Sequence, residues 1–195
     1  MNTLSKKSIA AIFVVAILLV GASGRAHFEL SAFYFSTAET AGQNSGVNYL
    51  NYDLALGFSI DRAGQYLVGW GYGNHTASER SSGASSASSY NSTHMGPRFL
   101  WMIGKEKNWS LGFGYYLVTQ ASSKPSGGST ETWKGTTMVA DVGYNVPIAD
   151  KMFVAVRLNY SLASFTERLT DGTTFAKVSY NRTFIYPSLS YVAVF

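Results

Sequence analysis

The stretch MVADVGYNVPIADKMFVAVRLNYSL, residues 138–162, decides the fold. Apolar residues take alternate positions through Met138–Val146 and again through Met152–Leu162, and Pro147–Lys151 connects the two runs. Alternation with a period of two predicts β-strands, because successive side chains of a strand point to opposite faces. A short polar connection between two such runs predicts an antiparallel hairpin.

The same alternation continues through the rest of the chain after residue 26. With the two runs of the hairpin it makes eight segments, each close to the roughly 9–11 residues with which a tilted strand crosses a membrane. No later apolar run is long enough for a membrane helix. The other six segments are 28–35, 50–60, 65–73, 95–104, 109–118 and 183–195.

The connections between these segments alternate in length. Short turns on one side of a barrel and long loops on the other are typical of outer-membrane barrels. The short turns are expected at Asp61–Gly64, Lys105–Asn108 and Pro147–Lys151, and the long loops at 36–47, 74–93, 120–135 and 164–175.

The polarity of the two strand faces predicts which face is turned outward. The less apolar face holds Gly, Ser and Asn together with Asp53, Arg98, Asp141 and Arg157. If that face met lipid, two arginines at roughly 2–4 kcal/mol each and two aspartates would cost on the order of 10 kcal/mol. We therefore expect the apolar face outside, and the fold expected is all-β: a closed antiparallel eight-stranded transmembrane barrel with up-and-down meander order.

Composition agrees with a folded protein that has a non-aqueous surface. Of 195 residues, 46% are hydrophobic, 15% aromatic and only 13% charged, which excludes a disordered chain. The absence of cysteine excludes a disulfide-stapled domain and a thiolate metal site. Residues 27–195 carry twelve Lys and Arg against eleven Asp and Glu, so no nucleic-acid partner is expected.

The first 26 residues have the three parts of a secretory signal peptide. Lys6 and Lys7 precede the apolar run Ile9–Val20, and the small-residue stretch Gly21–Ala26 follows. A membrane anchor is the alternative, but this apolar run is short of the roughly 20 residues that a spanning helix needs. The domains expected are a signal peptide at 1–26, cleaved after Ala26 or after Gly24, and a barrel at 27–195.

The end of the chain carries a resemblance to a known family. Phe195 is terminal, and Ala193, Tyr191 and Leu189 precede it at alternate positions. This pattern resembles the assembly signal of Gram-negative outer-membrane barrels, and with the features above the chain resembles the small OmpA-, OmpX- and OmpW-like barrels. The resemblance implies export through the periplasm to the cell outer membrane. It also implies outer-membrane lipids, lipopolysaccharide and, during biogenesis, the barrel assembly machinery as partners; the uniformly apolar belt favours a monomer.

Four charged residues are predicted to meet inside the barrel. Counted from the short turns, Asp53, Arg98, Asp141 and Arg157 lie at similar heights, about six to eight residues up, and Glu29 could join them from below. An eight-stranded barrel has room only for its own side chains. Paired carboxylates and guanidinium groups are therefore expected to plug the lumen, and an ion path or proton relay is the alternative.

Glycines and prolines at unusual places add two expectations. Gly69, Gly71, Gly73, Gly112 and Gly114 share the inward face and are expected to make space for large inward side chains such as Tyr116, Leu67 or Tyr186. Pro97 and Pro187 lie inside predicted strands, where each removes a ladder N–H. They indicate either bulges or different boundaries for the fourth and eighth strands.

Catalytic and metal-binding patterns are weak. Some outer-membrane lipases and deacylases carry a His-x-Ser pair, but none of His27, His75 and His94 is followed two positions later by serine. No two histidines have the spacing of metal ligands. We expect no enzyme, no cofactor and no metal site, although His75 with a nearby loop serine stays possible.

Function is only weakly specified by these patterns. The leading hypothesis is a structural or surface-interaction protein with a plugged polar lumen, which acts through long extracellular loops. The alternative is a narrow channel for ions or small hydrophobic molecules. A third possibility is a lipid-modifying outer-membrane enzyme.

Overall fold

The computed structural model describes residues 25–37, 46–80, 86–170 and 174–195, and within them the chain is built from strands and turns. No helix among these residues is long and apolar enough to cross a membrane. The eight strands are β1 (Ala26–Ser36), β2 (Gly46–Ser59), β3 (Tyr66–Arg80), β4 (Ser88–Ile103), β5 (Trp109–Lys124), β6 (Glu131–Ala149), β7 (Met152–Thr170) and β8 (Phe175–Val194).

The strands close into a barrel in sequence order. Each strand pairs antiparallel with the next, and β1 pairs with β8 from His27↔Val194 to Ala32↔Leu189. The predicted all-β fold, an antiparallel eight-stranded meander, is confirmed.

Side-chain exposure confirms which face points outward. On β7, Val156 and Leu158 are 64% and 53% exposed, whereas Arg157 between them is 1% exposed. The same contrast repeats around the barrel, so its outer surface is a continuous belt of large apolar side chains. The interior is lined by polar and charged residues with apolar clusters at both ends.

The long loops predicted on one side of the barrel are too long, because much of their sequence belongs to strands. Residues 74–80 belong to β3 and 88–93 to β4, and the segments at 120–135 and 164–175 are likewise mostly strand. Their Ser, Thr and Asn residues weaken the apolar alternation, but their backbones still form the antiparallel ladder. The strands reach 20 residues in β8, well beyond the roughly 9–11 that cross a membrane, so paired strands extend past the apolar belt. The turn predicted at Pro147–Lys151 is also shorter, because β6 continues to Ala149.

The two prolines lie where a strand ladder shifts register or is absent. The pairing of β4 with β5 shifts register between Met95 and Arg98, so Pro97 lies opposite a bulge in β5, which agrees with the first of the two expectations. Pro187 pairs with Leu158 of β7, and the β1–β8 pairing ends at Leu189, two residues further along. Its missing N–H therefore interrupts no ladder toward β1.

Two apolar clusters occupy the two ends of the lumen. We call the end with the short turns the turn end and the other the loop end. At the turn end the buried cluster consists of Leu67, Leu100, Met102, Phe153, Val192 and Val194. At the loop end it consists of Ala77, Tyr90, Ala121, Ala163 and Phe165, with Tyr49, Trp133 and Phe184 packed against it.

Candidate functional site in the barrel lumen

Four charged side chains form a closed ring in the middle of the lumen. Arg98 donates to both oxygens of Glu29, at 3.0 Å from Nη2 and 3.3 Å from Nε, and its Nη1 lies 2.6 Å from Asp141 Oδ2. Arg157 Nη1 lies 2.6 Å from Asp141 Oδ1 and 3.3 Å from Glu29 Oε1. Two carboxylates and two guanidinium groups thus alternate, and we call this set the charge ring. The charges balance within it, which buried ions require.

Glycine makes room for the charge ring. A Cβ atom at Gly112 would lie 2.2 Å from Asp141 Oδ2 and 2.5 Å from Arg98 Nη2. Since these distances are impossible for a real side chain, Asp141 and Arg98 meet only because β5 carries no side chain there. The same holds for Tyr116, whose ring lies against Gly71 and Gly114. This agrees with the expectation that inward glycines accommodate Tyr116.

Asp53 is placed outside the charge ring. The sequence predicted it at the height of the two arginines. Glu29 occupies that position instead, and Asp53 contacts two histidines. Asp53 points into the lumen as predicted, but the residues predicted to contact it were wrong. The reason is that the stagger of adjacent strands, rather than distance from the turns, decides which inward residues meet.

Asp53, His75, His94 and Tyr186 form a second buried set, which we call the histidine cluster. His94 Nε2 lies 3.2 Å and His75 Nε2 3.6 Å from Asp53 Oδ1. The Tyr186 hydroxyl lies 3.1 Å from Asp53 Oδ2 and 3.1 Å from His75 Nε2. The histidines are 4% and 1% exposed, and the Asp53 side chain is 20% exposed.

Strand register brings the histidine cluster together. Asp53 of β2 is opposite Gly73 of β3, and Gly73 is opposite His94 of β4. His75 lies two residues further along β3 on the same face, and its ring is 4.6 Å from that of His94. Tyr186 reaches the cluster from β8, on the other side of the lumen.

Sequence reasoning missed the histidine cluster. The residues are 19 to 133 positions apart and match no local motif. The predicted boundaries put His94 at the base of a loop, whereas it lies within β4. One pattern could have predicted the histidine cluster. Asp53, His75 and His94 all lie at inward-facing positions of three consecutive strands, and Gly73 leaves space between them.

Only a small cavity separates the charge ring from the histidine cluster. It is lined by Glu29, Asp53, Arg98, Tyr116 and Asp141 among others. Its size is about that of a single water molecule. Elsewhere in the lumen, inward hydroxyl groups pair with one another, as in Thr119–Thr137 at 2.8 Å and Ser31–Ser190 at 2.7 Å.

The terminal residues with the assembly pattern close the barrel at the turn end. Leu189 and Phe195 are 60% and 62% exposed on the outer surface, whereas the small Ala193 is buried between Phe28 and Met152 of the neighbouring strands. Tyr191 packs against Phe28 with ring centroids 6.3 Å apart. The backbone N–H of Phe195 donates to the carbonyl of Ala26 at 2.8 Å.

The first turn is held by one carboxylate outside the spanning strands. Slight burial raises the pKa of Asp61, but hydrogen bonds from the backbone of Tyr66, the Ser59 hydroxyl and the backbone of Gln65 and Ala63 outweigh it and lower the pKa below its usual value. The shortest of these bonds, from Tyr66 N–H to Asp61 Oδ1, is 2.8 Å. Asp61 therefore fastens the turn between β2 and β3.

Comparison with known proteins finds likeness in structure and not in sequence. No family model matches the chain, and no curated protein does either. The crystal structure of Neisserial surface protein A superposes with a TM-score of 0.53 at 10% identity, over 88% of this chain and 97% of that one. The beta domain of the Bordetella autotransporter BrkA (14% identity, 85% of this chain, 68% of that one) has a TM-score of 0.42. The translocator domain of autotransporter NalP from Neisseria meningitidis (13% identity, 96% and 68%) has the same score.

The first of these likenesses covers nearly the whole of both chains, and it concerns the fold alone. Strand number, strand order and this likeness agree with what the alternating segments and the terminal pattern predicted. The chain has the fold of the small eight-stranded β-barrels.

Proposed function

We propose that the chain is an integral outer-membrane barrel with a closed lumen, which serves a structural or surface-interaction role through its loop end. The observation that carries the proposal is the inversion of polarity: a neutral ring of buried charges inside and a belt of large apolar side chains outside. A water-soluble barrel has the opposite arrangement.

The outer belt of apolar side chains favours a barrel that is surrounded by lipid. Apolar or aromatic side chains that are more than a third exposed occur on all eight strands, among them Leu30, Leu56, Met138 and Ile185. Soluble monomers rarely expose contiguous apolar patches of more than a few hundred Å². Aromatic side chains lie toward the ends of the belt, where Trp109 and Tyr144 contact each other at 5.2 Å near the turn end. Such rings suit the interface between lipid and water.

The sequence of layers along the lumen supports closure. An ion entering from the turn end meets the apolar cluster around Leu67 and Met102, and then the charge ring. Beyond the histidine cluster it meets the apolar cluster around Tyr90 and Phe165. Arg182 lies over the Tyr90 ring at 3.8 Å, which adds a further obstruction at the loop end.

The loop end supports a role in surface contacts. Strands β6, β7 and β8 extend furthest, and their outer parts carry polar and basic side chains such as Lys134 and Arg168. Such cations suit the phosphates of lipopolysaccharide, although Arg168 also pairs with Glu131 at 3.7 Å. The partners proposed are therefore outer-membrane lipids and lipopolysaccharide, together with the assembly machinery during biogenesis, and the continuous belt favours a monomer. We propose no catalytic activity; an unchanged lipid A mass spectrum on overexpression is the expected result.

Single-cysteine labelling tests placement and orientation, and the chain suits it because it has no cysteine. Ser129→Cys lies in the exposed β5–β6 connection at the loop end, and Ala63→Cys in the exposed β2–β3 turn. In intact cells, a membrane-impermeant maleimide is expected to label Ser129→Cys and to reach Ala63→Cys only after the outer membrane is permeabilised. If only Ala63→Cys were labelled in intact cells, the orientation would be the opposite of the one proposed. Recovery of the protein in the soluble fraction would exclude membrane placement.

The seam between β1 and β8 favours a second candidate, a lateral route for small hydrophobic molecules. Above Ala32↔Leu189, the described part of β1 pairs with β2 alone. Phe33 lies behind this seam, with its ring 6.0 Å from that of Tyr186. If the seam is a route, cells that carry Phe33→Ala take up a hydrophobic dye faster than cells with the unmodified protein. Equal uptake in both, with the protein folded and present in equal amount, would exclude it.

A further inference from the structure

The histidine cluster has the donors of a metal site. Its two imidazoles and one carboxylate come from three adjacent strands, and both histidines present the same ring nitrogen, Nε2, to Asp53 Oδ1. The three donor atoms lie within 4.8 Å of one another. Two histidines and one carboxylate form a common donor set for Zn²⁺ and other divalent transition metals.

Two of the three donor spacings match those around one ion. Bonds of about 2.0–2.2 Å at tetrahedral angles place neighbouring ligand atoms about 3.3 Å apart. The distances of 3.2 Å and 3.6 Å from Asp53 Oδ1 to His94 Nε2 and His75 Nε2 are close to that value. The three donors lie within 4.8 Å of one another, and an ion would draw the two imidazole nitrogens closer together than that.

The surroundings of the cluster are shaped for it. A Cβ atom at Gly73 would lie 2.2 Å from both Asp53 Oδ1 and His94 Nε2, so the two donors converge only because residue 73 has no side chain. The Tyr186 hydroxyl, 3.1 Å from both Asp53 Oδ2 and His75 Nε2, places one more oxygen beside the three donors. The Tyr116 ring, 4.5 Å from that of His94, packs behind the imidazole and limits its movement.

Charge balance also favours a cation here. In the charge ring, two carboxylates face two guanidinium groups. The side chains that contact Asp53 in the described part of the chain are two imidazoles and a phenol, none of which has the fixed positive charge of arginine. Arg98, across the small cavity, is paired with Glu29 and Asp141. A divalent cation would supply positive charge in an interior where unpaired charge is costly.

We propose that Asp53, His75 and His94 bind one divalent transition-metal ion, of which Zn²⁺ is the best match, with the Tyr186 hydroxyl at its side. The ion would join β2, β3 and β4 from within the lumen. The site lies above the charge ring and does not depend on whether the barrel conducts.

Metal titration of the folded full-length protein tests the proposal. Protein extracted in detergent is stripped with EDTA, transferred to metal-free buffer and titrated with Zn²⁺ in a calorimeter. We expect one ion per chain. Co²⁺ in its place is expected to give the visible absorption of a low-coordinate nitrogen and oxygen site. Failure of the folded protein to take up either ion would overturn the proposal.

Three variants identify the ligands. His75→Ala and His94→Ala are each expected to weaken Zn²⁺ binding by more than the roughly 10–100-fold that loss of a supporting partner costs. His27→Ala removes the third histidine, which lies on β1 at the turn end, and is the matched control that keeps the affinity. Unchanged Zn²⁺ affinity in His75→Ala and His94→Ala would show that the ion binds elsewhere, at the protein surface, and would overturn the proposal.

The unmodified protein provides a test that does not depend on the folding of the variants. In nitrogen-15 spectra of its three histidines, Zn²⁺ is expected to shift the imidazole signals of two and leave the third in place. If all three stay unchanged, the cluster is a metal-free hydrogen-bonded network and the proposal is wrong.

Discussion

At the scale of single residues, Arg157 shows how the barrel keeps charge in its interior. The side chain is fully buried, and Nη1 contacts both Asp141 and Glu29. Such contacts stabilise the fold mainly by satisfying carboxylates that would otherwise be buried without a counter-charge. Loss of the arginine is therefore expected to destabilise the fold mainly because it leaves buried carboxylates without a counter-charge.

Reversal of this charge is the first prediction. Arg157→Glu would place a third carboxylate beside two others, and we expect a loss of at least about 3–5 kcal/mol of unfolding free energy, the range for breaking a buried ion pair. The measurement is the temperature at which the compact form disappears in a heat-modifiable gel shift. Arg62→Glu, in the exposed first turn, is the control and should stay within about 0.5 kcal/mol. An equal melting temperature for Arg157→Glu and the unmodified protein would contradict the charge ring.

Asp61 gives a prediction of pH dependence. Because its folded-state pKa is lowered, its contribution to stability is fully present above the unfolded-state pKa, near pH 4, and is lost as the pH falls through the folded-state value. In Asp61→Asn this part of the acid dependence is expected to vanish. Unfolding temperatures of both proteins between pH 7 and pH 3 measure it; parallel curves would show that Asp61 does not fasten the turn.

The residue scale also shows where prediction from sequence ends. Inward parity identified Glu29, Arg98, Asp141 and Arg157 as interior charges, and the structure brings these four into contact. The inward direction of Asp53 does not predict its contact with His75 and His94, because that contact depends on the stagger of β2, β3 and β4. Stagger is a property of the whole closed sheet and is not encoded in any one strand.

At the scale of elements, strand existence was predictable and strand length was not. The segments at 138–146 and 152–162 appear within β6 and β7, but both strands extend much further at the loop end. Apolar alternation marks only the part of a strand that belongs to the outer apolar belt. Beyond the belt, Ser, Thr and Asn residues weaken the pattern while the backbone ladder continues.

The start of β1 predicts the mature N-terminus. Residues 1–24 lie outside the described part, so the signal peptide at 1–26 stays a prediction. The Arg25 carbonyl accepts from Ser59 N–H, and the Ala26 carbonyl accepts from Phe195 N–H, each at 2.8 Å. Cleavage after Gly24 keeps both bonds, and cleavage after Ala26 removes both acceptors. Intact-mass measurement of the exported protein is therefore expected to give Arg25 as the first residue, and His27 as the first residue would contradict this.

The last residue of the chain, directly after β8, gives a prediction for assembly. Deletion of Phe195 removes a ladder bond and the terminal aromatic of the pattern that resembles the assembly signal. We expect the folded amount in cells to fall several-fold, while refolding of the purified chain into detergent changes little. Phe113→Ala, which removes another outward phenylalanine from the belt, is the control. Normal assembly without Phe195 would show that the terminal pattern is not used.

At the scale of the whole molecule, the polarity of the barrel is inverted, and layers of apolar and polar side chains follow one another along its lumen. Charges and polar pairs occupy the middle, apolar clusters lie at both ends, and the cavity between the two polar sets is about the size of one water molecule. Ions cross a barrel only where water can follow them. The central claim is therefore that the folded barrel does not conduct.

Planar-bilayer recording of the folded protein, verified by its heat-modifiable gel shift, tests this claim most directly. We predict no unitary current steps at any voltage that the bilayer withstands, for the unmodified protein and for the control Arg62→Glu alike. Reproducible unitary steps that change in size when Glu29 or Asp141 is neutralised would contradict the account, because they would show that ions pass through the charge ring.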